Sequence, residues 1–461
     1  MGQDTQQLLE RVRAVLEAGD DTALVRELAE DRPEDVAEVF ELLDDGQRSQ
    51  IIFALPPRLA AEVIALLDEA DRSEVIEDLD DEKLTELVAE LPPDDAADVI
   101  GELTDQRGGE VLEHVPDEKA ALIEELLEYD EESAGGIMTP DLIALTGDTT
   151  VGQCVRSVRA ASPDEDLHEI YVIDGSMRVL GTVPLRALVI NPKETKLADL
   201  CEPDPITIGV DEDQEEVVRL FRKYDLAAIP VVDAAGKLVG RITTDDAMDV
   251  ADEEAAEDLL RMAGTDPSEM ETASPFRAAA IRLTWLLPCM LIFTVTAAVI
   301  ALSERRFSGA VYAAVIAFVP MIGAMSGNSG IQISTVIVRG LATGDLAGTR
   351  IGLALRREGV IALLMAPVCG LFAAVITRLG LPVLEWVGVF EGTVDAGPVA
   401  GAVGVGMTLA MLFAGGLGIL LPFSFRRIGV DPAIASGPIV TTVNDVISVS
   451  VYLAIAIAFM G

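Results

Sequence analysis

The separation of charged from hydrophobic residues along this chain is the feature that most constrains its fold. Half of the 461 residues are hydrophobic, yet the formal net charge is -45. Acidic residues crowd the chain up to about Gly264, whereas long apolar runs with few acids begin at Pro275. The composition therefore predicts an acidic, water-exposed front part and a membrane-spanning back part.

The charge of the front part restricts its partners. A strongly negative surface repels nucleic acid and anionic lipid and attracts cations, so we expect cations as partners and no nucleic acid. Solubility or adaptation to high salt would explain the total charge equally well. It does not explain particular clusters of acids.

Five segments of the back part are long and apolar enough to cross a bilayer, which takes about 20 residues. They are Leu283–Leu302, Ala310–Val338, Gly359–Ile376, Ala402–Phe423 and Ala433–Phe459. Five crossings place the two ends of this part on opposite sides of the membrane. The sequence thus predicts a multi-pass protein of the cell membrane, in contact with lipid.

Arginines in the short loops predict its orientation, because cytoplasmic loops are enriched in basic residues. Arg277 precedes the first segment, Arg339 and Arg356 lie between the second and third, and Arg426 lies between the fourth and fifth. These loops are therefore expected to be cytoplasmic. The front part would then be cytoplasmic, and the C-terminus would be outside.

Asp445 is the sole acid of the fifth segment, and no Lys or Arg in that segment can pair with it. An acid at membrane depth usually faces a pore or a partner, because burying its charge in lipid is costly. Two chains meeting around an axis would form a ring of two carboxylates, which favours a homodimer and a divalent cation. For the Thr and Asn residues nearby, such as Thr441 and Asn328, pore lining and interhelical hydrogen bonding remain equally open.

The front part shows two kinds of pattern. Residues 1–132 contain short helical signals, punctuated by Leu-Pro-Pro at Leu55–Pro57 and Leu91–Pro93, which indicate an α-helical superhelix. Two similar β-rich stretches follow, from Glu169 and from Ala227, about 60 residues apart. Their order and spacing are those of a tandem CBS pair, an α/β module that often binds adenine nucleotides. We therefore expect ATP as a candidate ligand.

An acidic helix is predicted between the CBS pair and the first membrane segment. Asp245, Asp249, Glu253 and Glu257 recur at four-residue spacing and share one face, although a solvated charged face is the commonest meaning of such a run. The predicted domains are an N domain at 1–132, CBS motifs at 133–195 and 196–243, a connecting helix at 244–275 and an all-α five-helix membrane domain at 276–461.

This order of domains resembles the MgtE family of Mg²⁺ channels and transporters over nearly the whole chain. The matching motifs include SAGGIMTP (Ser133–Pro140), EEAAEDLLRMAG (Glu253–Gly264), GNSGIQ (Gly327–Gln332) and DPAIASGPIVTTVNDV (Asp431–Val446). The resemblance implies that Asp445 forms the pore ring for hydrated Mg²⁺ and that Thr441 and Asn328 line the path.

The resemblance also implies regulatory Mg²⁺ sites between the N domain, the CBS pair and the connecting "plug" helix. The matching residues are Asp94, Asp98, Asp246 and Asp249 between the N domain and the CBS end, Asp225 at the CBS dimer interface, and Asp213, Glu215, Glu257, Asp258 and Asp431 between the sensor and the membrane loops.

The resulting hypothesis is a Mg²⁺-selective channel for uptake that cytosolic Mg²⁺ closes. An ion-coupled carrier of Mg²⁺, Co²⁺ or Mn²⁺ is the alternative, and a CBS-gated anion transporter is disfavoured by the membrane aspartate. An enzyme is not expected, because the chain has no P-loop, no metalloprotease motif and just two histidines.

Overall fold

The computed structural model describes residues 3–19, 21–29, 31–40, 42–161, 167–269, 274–342, 346, 349–389, 393–435 and 437–460. The chain divides into two compact units, Met1–Asp252 and Glu253–Gly461.

The first unit begins with short α-helices, as the sequence predicts. Both Leu-Pro-Pro signals start a helix at their second proline, where the missing N–H group is not needed. Asp68 and Asp80 accept hydrogen bonds from the backbone at the starts of two others. The helices are α1 Gln3–Ala18, α2 Asp21–Leu28, α3 Pro33–Phe40, α4 Asp45–Ala54, α5 Pro57–Ala65, α6 Glu69–Asp78, α7 Asp81–Glu90, α8 Pro93–Gly101, α9 Asp105–Leu112 and α10 Asp117–Leu126.

Basic side chains tie helices of this array together, both between neighbours and between helices three apart in sequence order. Arg48 on α4 donates to the carbonyl of Phe40 at the end of α3 (3.2 Å), Arg107 on α9 donates to Ile76 on α6 (3.1 Å), and Lys119 on α10 donates to Ala89 on α7 (2.9 Å). The last carbonyls of a helix lack partners within the helix, so a cation there satisfies them and complements the helix dipole.

The two CBS motifs form two small sheets of the same design. In the first, β1 Ala144–Thr146 pairs parallel with β2 Glu169–Ile173, which pairs antiparallel with β3 Val179–Pro184, followed by β4 Glu202–Pro203. In the second, β5 Ile208–Gly209, β6 Ala228–Val232 and β7 Leu238–Thr243 repeat this order. The helices between them are α11 Val151–Ala161, α12 Leu185–Ile190 and α13 Gln214–Tyr224.

The repeat extends to local detail. Asp174 in the β2–β3 turn accepts the backbone N–H groups of Ser176 and Arg178, and Asp233 in the β6–β7 turn accepts those of Ala235 and Lys237. Such side-chain bonds to the following backbone define tight turns. The register of both hairpins shifts at the equivalent place, at Val172/Ile173 and at Val231/Val232. The tandem CBS prediction is confirmed.

The N-terminal helices and the second sheet share one hydrophobic core. The segment after α10 pairs with the second CBS motif, since Ala134 donates to Glu212 (2.7 Å) and Thr139 donates to Arg241 (2.8 Å) through the backbone. Buried residues from both regions, such as Leu126 and Ile229, belong to the same cluster. The acidic helix α14, Thr244–Ala263, follows β7 directly.

The second unit contains five helical segments long and apolar enough to cross a membrane, within the ranges that the structure describes. The all-α five-helix membrane domain is therefore confirmed. α19 contacts α17, α18 and α20. Small residues permit this packing, because a Cβ on Gly418 of α19 would lie 2.5 Å from the carbonyl oxygen of Gly330 on α17. The helices are α15 Pro275–Ser303, α16 Gly309–Ile316, α17 Val319–Ala342, α18 Thr349–Trp386, α19 Ala396–Arg427 and α20 Pro438–Met460.

Two of the predicted spans differ from the observed helices. The second, predicted as one segment at Ala310–Val338, is broken between α16 and α17, because Pro320 has no N–H group to donate to the carbonyl of Ile316, as a continuous helix would require. The third, predicted at Gly359–Ile376, is the central part of α18, whose 38 residues exceed the length needed to cross a bilayer.

Candidate functional site

The second unit, Glu253–Gly461, is called the membrane unit below. A cavity of about 390 Å³ lies in it, between α15, α17 and α20. Its lining includes the three predicted pore residues, Asn328 on α17 and Thr441 and Asp445 on α20. The remaining lining residues are largely apolar or glycine. The structure thus brings the predicted polar residues to one space in the membrane unit that is large enough for several water molecules.

Close approach of α17 leaves room for the Asp445 carboxylate. A Cβ on Gly323 would lie 3.3 Å from its Oδ1 atom, so a glycine at this position keeps the space open. No hydrogen bond or ion pair to Asp445 occurs among the described residues. A second polar atom of the cavity, Oγ1 of Thr296, is buried and also without a hydrogen-bond partner in the described part of the chain.

The polar residues beside Asp445 divide between the two alternatives that the sequence leaves open. Asn444 is fully buried, donates to Ser326 on α17 (3.0 Å) and accepts from Ser448 (2.8 Å). It therefore serves interhelical hydrogen bonding, whereas Thr441 and Asn328 line the cavity. The hydroxyl of Thr441 also donates to the carbonyl of Gly437 in its own helix (3.1 Å).

A second acid of the membrane unit is buried, which the sequence analysis missed. Glu358 on α18 is 5% exposed and belongs to the same buried stripe as Ala362 and Ala366, which follow it at successive four-residue steps. The signal was present in the sequence as the helical spacing of Glu358 with these small residues. It was missed because the third span was predicted to begin at Gly359.

Acids from the N domain and the start of α14 interact in the first unit. Desolvation by the surrounding protein, together with Glu102, Glu131 and Asp246, raises the pKa of Asp98 to about 6, against the opposing effect of Arg72. Burial likewise raises the pKa of Asp246, whose carboxylate accepts two hydrogen bonds from Thr243. The predicted pair Asp98 and Asp246 is therefore electrostatically coupled.

The sequence analysis also missed the basic residue next to this pair. Arg72 on α6 forms an ion pair with Glu102 (2.5 Å), and both side chains are largely buried. Burial and the neighbouring acids Asp246, Asp245 and Asp252 raise the pKa of Asp249. Asp94 lies in the first turn of α8, one helical turn before Asp98.

The CBS acids occupy the two ends of α13. Asp213 is the N-cap residue, and its Oδ1 accepts the backbone N–H of Glu215 (2.8 Å). Asp225 is the C-cap residue in the left-handed conformation (φ 53°), which is uncommon for a residue other than glycine. Local backbone geometry accounts for the positions of Asp213 and Asp225, and their metal-binding roles remain predictions.

Three predicted regulatory acids meet around one arginine in the second unit. Arg261 on α14 forms ion pairs with Glu257 on the same helix and with Asp431 before α20 (Nη1–Oδ2, 2.7 Å). Burial, with Asp431 and Glu257 nearby, raises the pKa of Asp258 to about 6, while Arg261 opposes that rise. Glu257, Asp258, Asp431 and Arg261 are called the inner acidic cluster below.

The end of α14 also touches the start of α20. A Cβ on Gly437 would overlap the carbonyl oxygen of Met262 and lie 3.1 Å from its carbonyl carbon. No group of three His, Cys, Asp or Glu side chains within the described ranges is close enough to surround a bare metal ion. All-oxygen carboxylate ligands nevertheless suit Mg²⁺, which usually keeps several of its waters.

Family models match most of the chain. A divalent cation transporter model, MgtE, matches residues 319–455, the MgtE intracellular N domain matches 31–132, and the CBS domain matches 134–192 and 197–253. A magnesium transporter MgtE of Thermus thermophilus is 36% identical over 342 residues, which are 73% of this chain and 72% of that protein. The chain belongs to the MgtE family. An MgtE of Enterococcus faecalis is 35% identical over 74% of this chain and 72% of its own.

Two solved structures each match about half of the chain. The cytosolic domain of the Mg²⁺ channel MgtE in complex with ATP is 34% identical, covers 52% of this chain and 99% of its own, and has a TM-score of 0.50. The soluble part of a magnesium transporter is 25% identical, with 54% and 99% coverage and the same TM-score. The predicted helical superhelix followed by a CBS pair is thus the MgtE cytosolic architecture.

Proposed function

We propose that this MgtE protein is a Mg²⁺-selective channel for uptake and that cytosolic Mg²⁺ closes it. Transport of Mg²⁺ is supported by membership of the MgtE family and by the names of its relatives. The observation that carries the channel proposal is the cavity that Asp445, Thr441 and Asn328 line together.

The chemistry of the cavity suits a hydrated divalent cation. Mg²⁺ dehydrates reluctantly, so a carboxylate is expected to hold it through its first shell of water, while hydroxyl and amide oxygens accept further hydrogen bonds from that water. Asp445 has no basic partner among the described residues, so its charge is available to a cation. The membrane potential, negative inside, drives such a cation inward.

A homodimer completes this proposal. One chain supplies one cavity carboxylate, and a divalent ion needs a second negative charge for neutrality. Two chains related by a twofold axis would place both Asp445 carboxylates on that axis. Arg339, Arg356 and Arg426 in the loops support a cytoplasmic N-terminal unit and an external C-terminus.

Closure by cytosolic Mg²⁺ follows from linkage. An ion that binds one conformation alone stabilises it by about 2.7 kcal/mol when its concentration is a hundred times Kd. Moving a gate from about 99% open to about 99% closed takes roughly 5.5 kcal/mol, so two or three weak sites suffice. The acids at Asp98 and Asp246 and those of the inner acidic cluster are the sites that we propose.

The CBS pair is also proposed to bind ATP. An MgtE cytosolic domain that is 34% identical was solved with ATP. Isothermal titration of the full-length protein with ATP tests this proposal.

The channel proposal is tested by Mg²⁺ flux into proteoliposomes that contain a Mg²⁺-sensitive dye. Asp445→Asn keeps the shape of the side chain and removes its charge, so we expect flux to fall to the level of empty vesicles. Asp395→Asn is the matched control, because Asp395 caps α19 outside the cavity and asparagine can accept the same backbone hydrogen bond. Unchanged flux in Asp445→Asn would remove the basis of the proposal.

An ion-coupled carrier is the alternative function. The same cavity chemistry would hold a cation in an alternating-access cycle. Single-channel current steps in planar bilayers separate the two, since a carrier turns over too slowly to produce them. Flux that depends on a gradient of a second ion, without current steps, would favour the carrier.

A further inference from the structure

The inner acidic cluster contains a cation of its own, the guanidinium of Arg261, which competes with any metal ion that binds there. Three carboxylates, from Glu257, Asp258 and Asp431, and one guanidinium, from Arg261, leave a formal charge of two negative units. Asp258 lies one residue after Glu257 on α14, and Asp431 comes from the loop before α20.

The contacts show how Arg261 is held between the two elements. Its guanidinium bonds to Glu257, four residues earlier on the same helix, and to Oδ2 of Asp431 at 2.7 Å. The other oxygen of Asp431 accepts the backbone N–H of Ala433 at 2.7 Å. Both oxygens of Asp431 are therefore engaged, and the loop is fixed in orientation toward α14.

The third carboxylate has no such bond. Among the described residues, no side chain or backbone group donates a hydrogen bond to Asp258, and no ion pair to it occurs. Its side chain is partly buried beside the ion pairs of Arg261. One arginine thus engages two of the three carboxylates, and Asp258 is the one that no described group bonds.

We propose that Arg261 is a tethered cation that docks the end of α14 against the start of α20 without metal. Its charge also sets the number of charges that an added ion must bring to the inner acidic cluster. The inference rests on the proposed regulation of this cluster by Mg²⁺. With Arg261 in place, one divalent ion neutralises the cluster, and it must share Glu257 and Asp431 with the guanidinium. Arg261 therefore positions the carboxylates and weakens metal binding at the same time.

Removing the charge of Arg261 has two opposite effects. In Arg261→Gln the three carboxylates repel one another, so the contact between α14 and the loop before α20 opens when Mg²⁺ is absent. Mg²⁺ then meets a cluster of three uncompensated charges without a competing cation. Docking itself loses the ion pair with Asp431 alone, whereas Mg²⁺ is freed from competition at both Glu257 and Asp431. The net gain is one ion pair, so the Mg²⁺ concentration at half-maximal docking is expected to fall about fivefold, at the upper end of the range for partly exposed pairs.

Hydrogen–deuterium exchange of the full-length protein in nanodiscs, over a Mg²⁺ titration, measures this docking at residues 253–263 and 431–435. In the wild type we expect protection at zero Mg²⁺ and a further increase with Mg²⁺. Arg261→Gln should lose the protection at zero Mg²⁺ and regain it at about one fifth of the wild-type midpoint. Arg261→Lys keeps the charge but not the forked donors, so its midpoint should lie between those of the wild type and Arg261→Gln.

Arg282→Gln is the matched control, because Arg282 forms an ion pair with Glu269 in the same unit but outside the inner acidic cluster. It should leave both the zero-Mg²⁺ protection and the midpoint unchanged. A wild-type midpoint in Arg261→Gln, or a higher one, would overturn the role of Arg261. Wild-type protein that shows no Mg²⁺ dependence in these segments would instead contradict the proposed regulation, while the zero-Mg²⁺ comparison would still test the tether.

Discussion

Gly437→Ala is expected to weaken the closure of the channel by Mg²⁺. Gly437 lies in the turn before α20, and its φ angle is outside the left-handed region, so alanine causes no backbone strain there. Its new Cβ would overlap the carbonyl oxygen of Met262 at the end of α14. The obstacle is backbone, so no side chain can rotate away, and the end of α14 must move.

The magnitude follows from the geometry. The Cβ would lie 3.1 Å from the carbonyl carbon of Met262, whereas carbon atoms pack best at about 3.5–4.0 Å, so α14 must shift by at least about 0.5 Å. Overpacking of this kind costs about 1–3 kcal/mol. For a gate that is about 99% closed at high Mg²⁺, a penalty of that size raises the open fraction from about 1% to between about 5% and 60%.

Patch recordings from proteoliposomes, with Mg²⁺ varied on the cytosolic side, measure the open fraction. Gly416→Ala is the matched control, because Gly416 lies within α19 and a Cβ there meets no atom within 4 Å. Both variants should be purified as folded protein with wild-type conductance at low Mg²⁺. Wild-type closure by Mg²⁺ in Gly437→Ala would refute the argument that the added packing of α14 against the start of α20 at high Mg²⁺ contributes to closure.

Three further expectations concern stability and ions. Asn444→Ala removes two buried hydrogen bonds and should lower the stability of the membrane unit by about 1–3 kcal/mol, as measured by unfolding in detergent. Ser450→Ala is the control and should change this stability little, because the Ser450 hydroxyl bonds within its own helix. The pKa of Asp98 in the folded protein is about 6, above its value in the unfolded chain, so the folded state loses stability as pH rises from about 4 through 6. Asp98→Asn should therefore be more stable than wild type at pH 7.5 and equally stable at pH 4, as measured by thermal unfolding of the full chain. Removing Mg²⁺ with a chelator should increase proteolysis of the wild type within residues 253–275, and a triple variant Asp246→Asn, Asp249→Asn and Glu257→Gln should be cut equally with and without Mg²⁺.

The break in the second span shows which features of a helix the sequence predicts and which require the structure. Pro320 predicts that a helix begins near it, but it does not say whether the preceding residues continue as a kinked helix or form a separate one. In the structure, the hydroxyl of Tyr452 on α20 donates to the carbonyl of Val315 near this break (2.9 Å). This contact joins residues 137 positions apart and helps to hold the two helices as separate elements. No local sequence pattern could indicate it.

The sequence by itself determined the segregation of acidic from hydrophobic residues, the five apolar segments, the tandem CBS repeat and the isolated charge of Asp445. Each of these is a property of composition or of period along the chain, because the hydrophobic effect and the cost of burying charge act on every residue regardless of its distant neighbours. These properties predicted the order of the domains, whereas the resemblance to the MgtE family came from specific motifs such as Ser133–Pro140 and Asp431–Val446.

The tertiary structure alone decided which polar residues meet. Asn444 and Thr441 are three positions apart on α20, yet one bonds across to Ser326 on α17 and the other lines the cavity. Arg261 reaches Asp431 across 170 positions, and Glu358 is buried because of its place in the stripe of α18 that packs inward. Hydrogen bonds and ion pairs form over about 3 Å, so their partners depend on how the helices pack, which the order of residues along one helix does not specify.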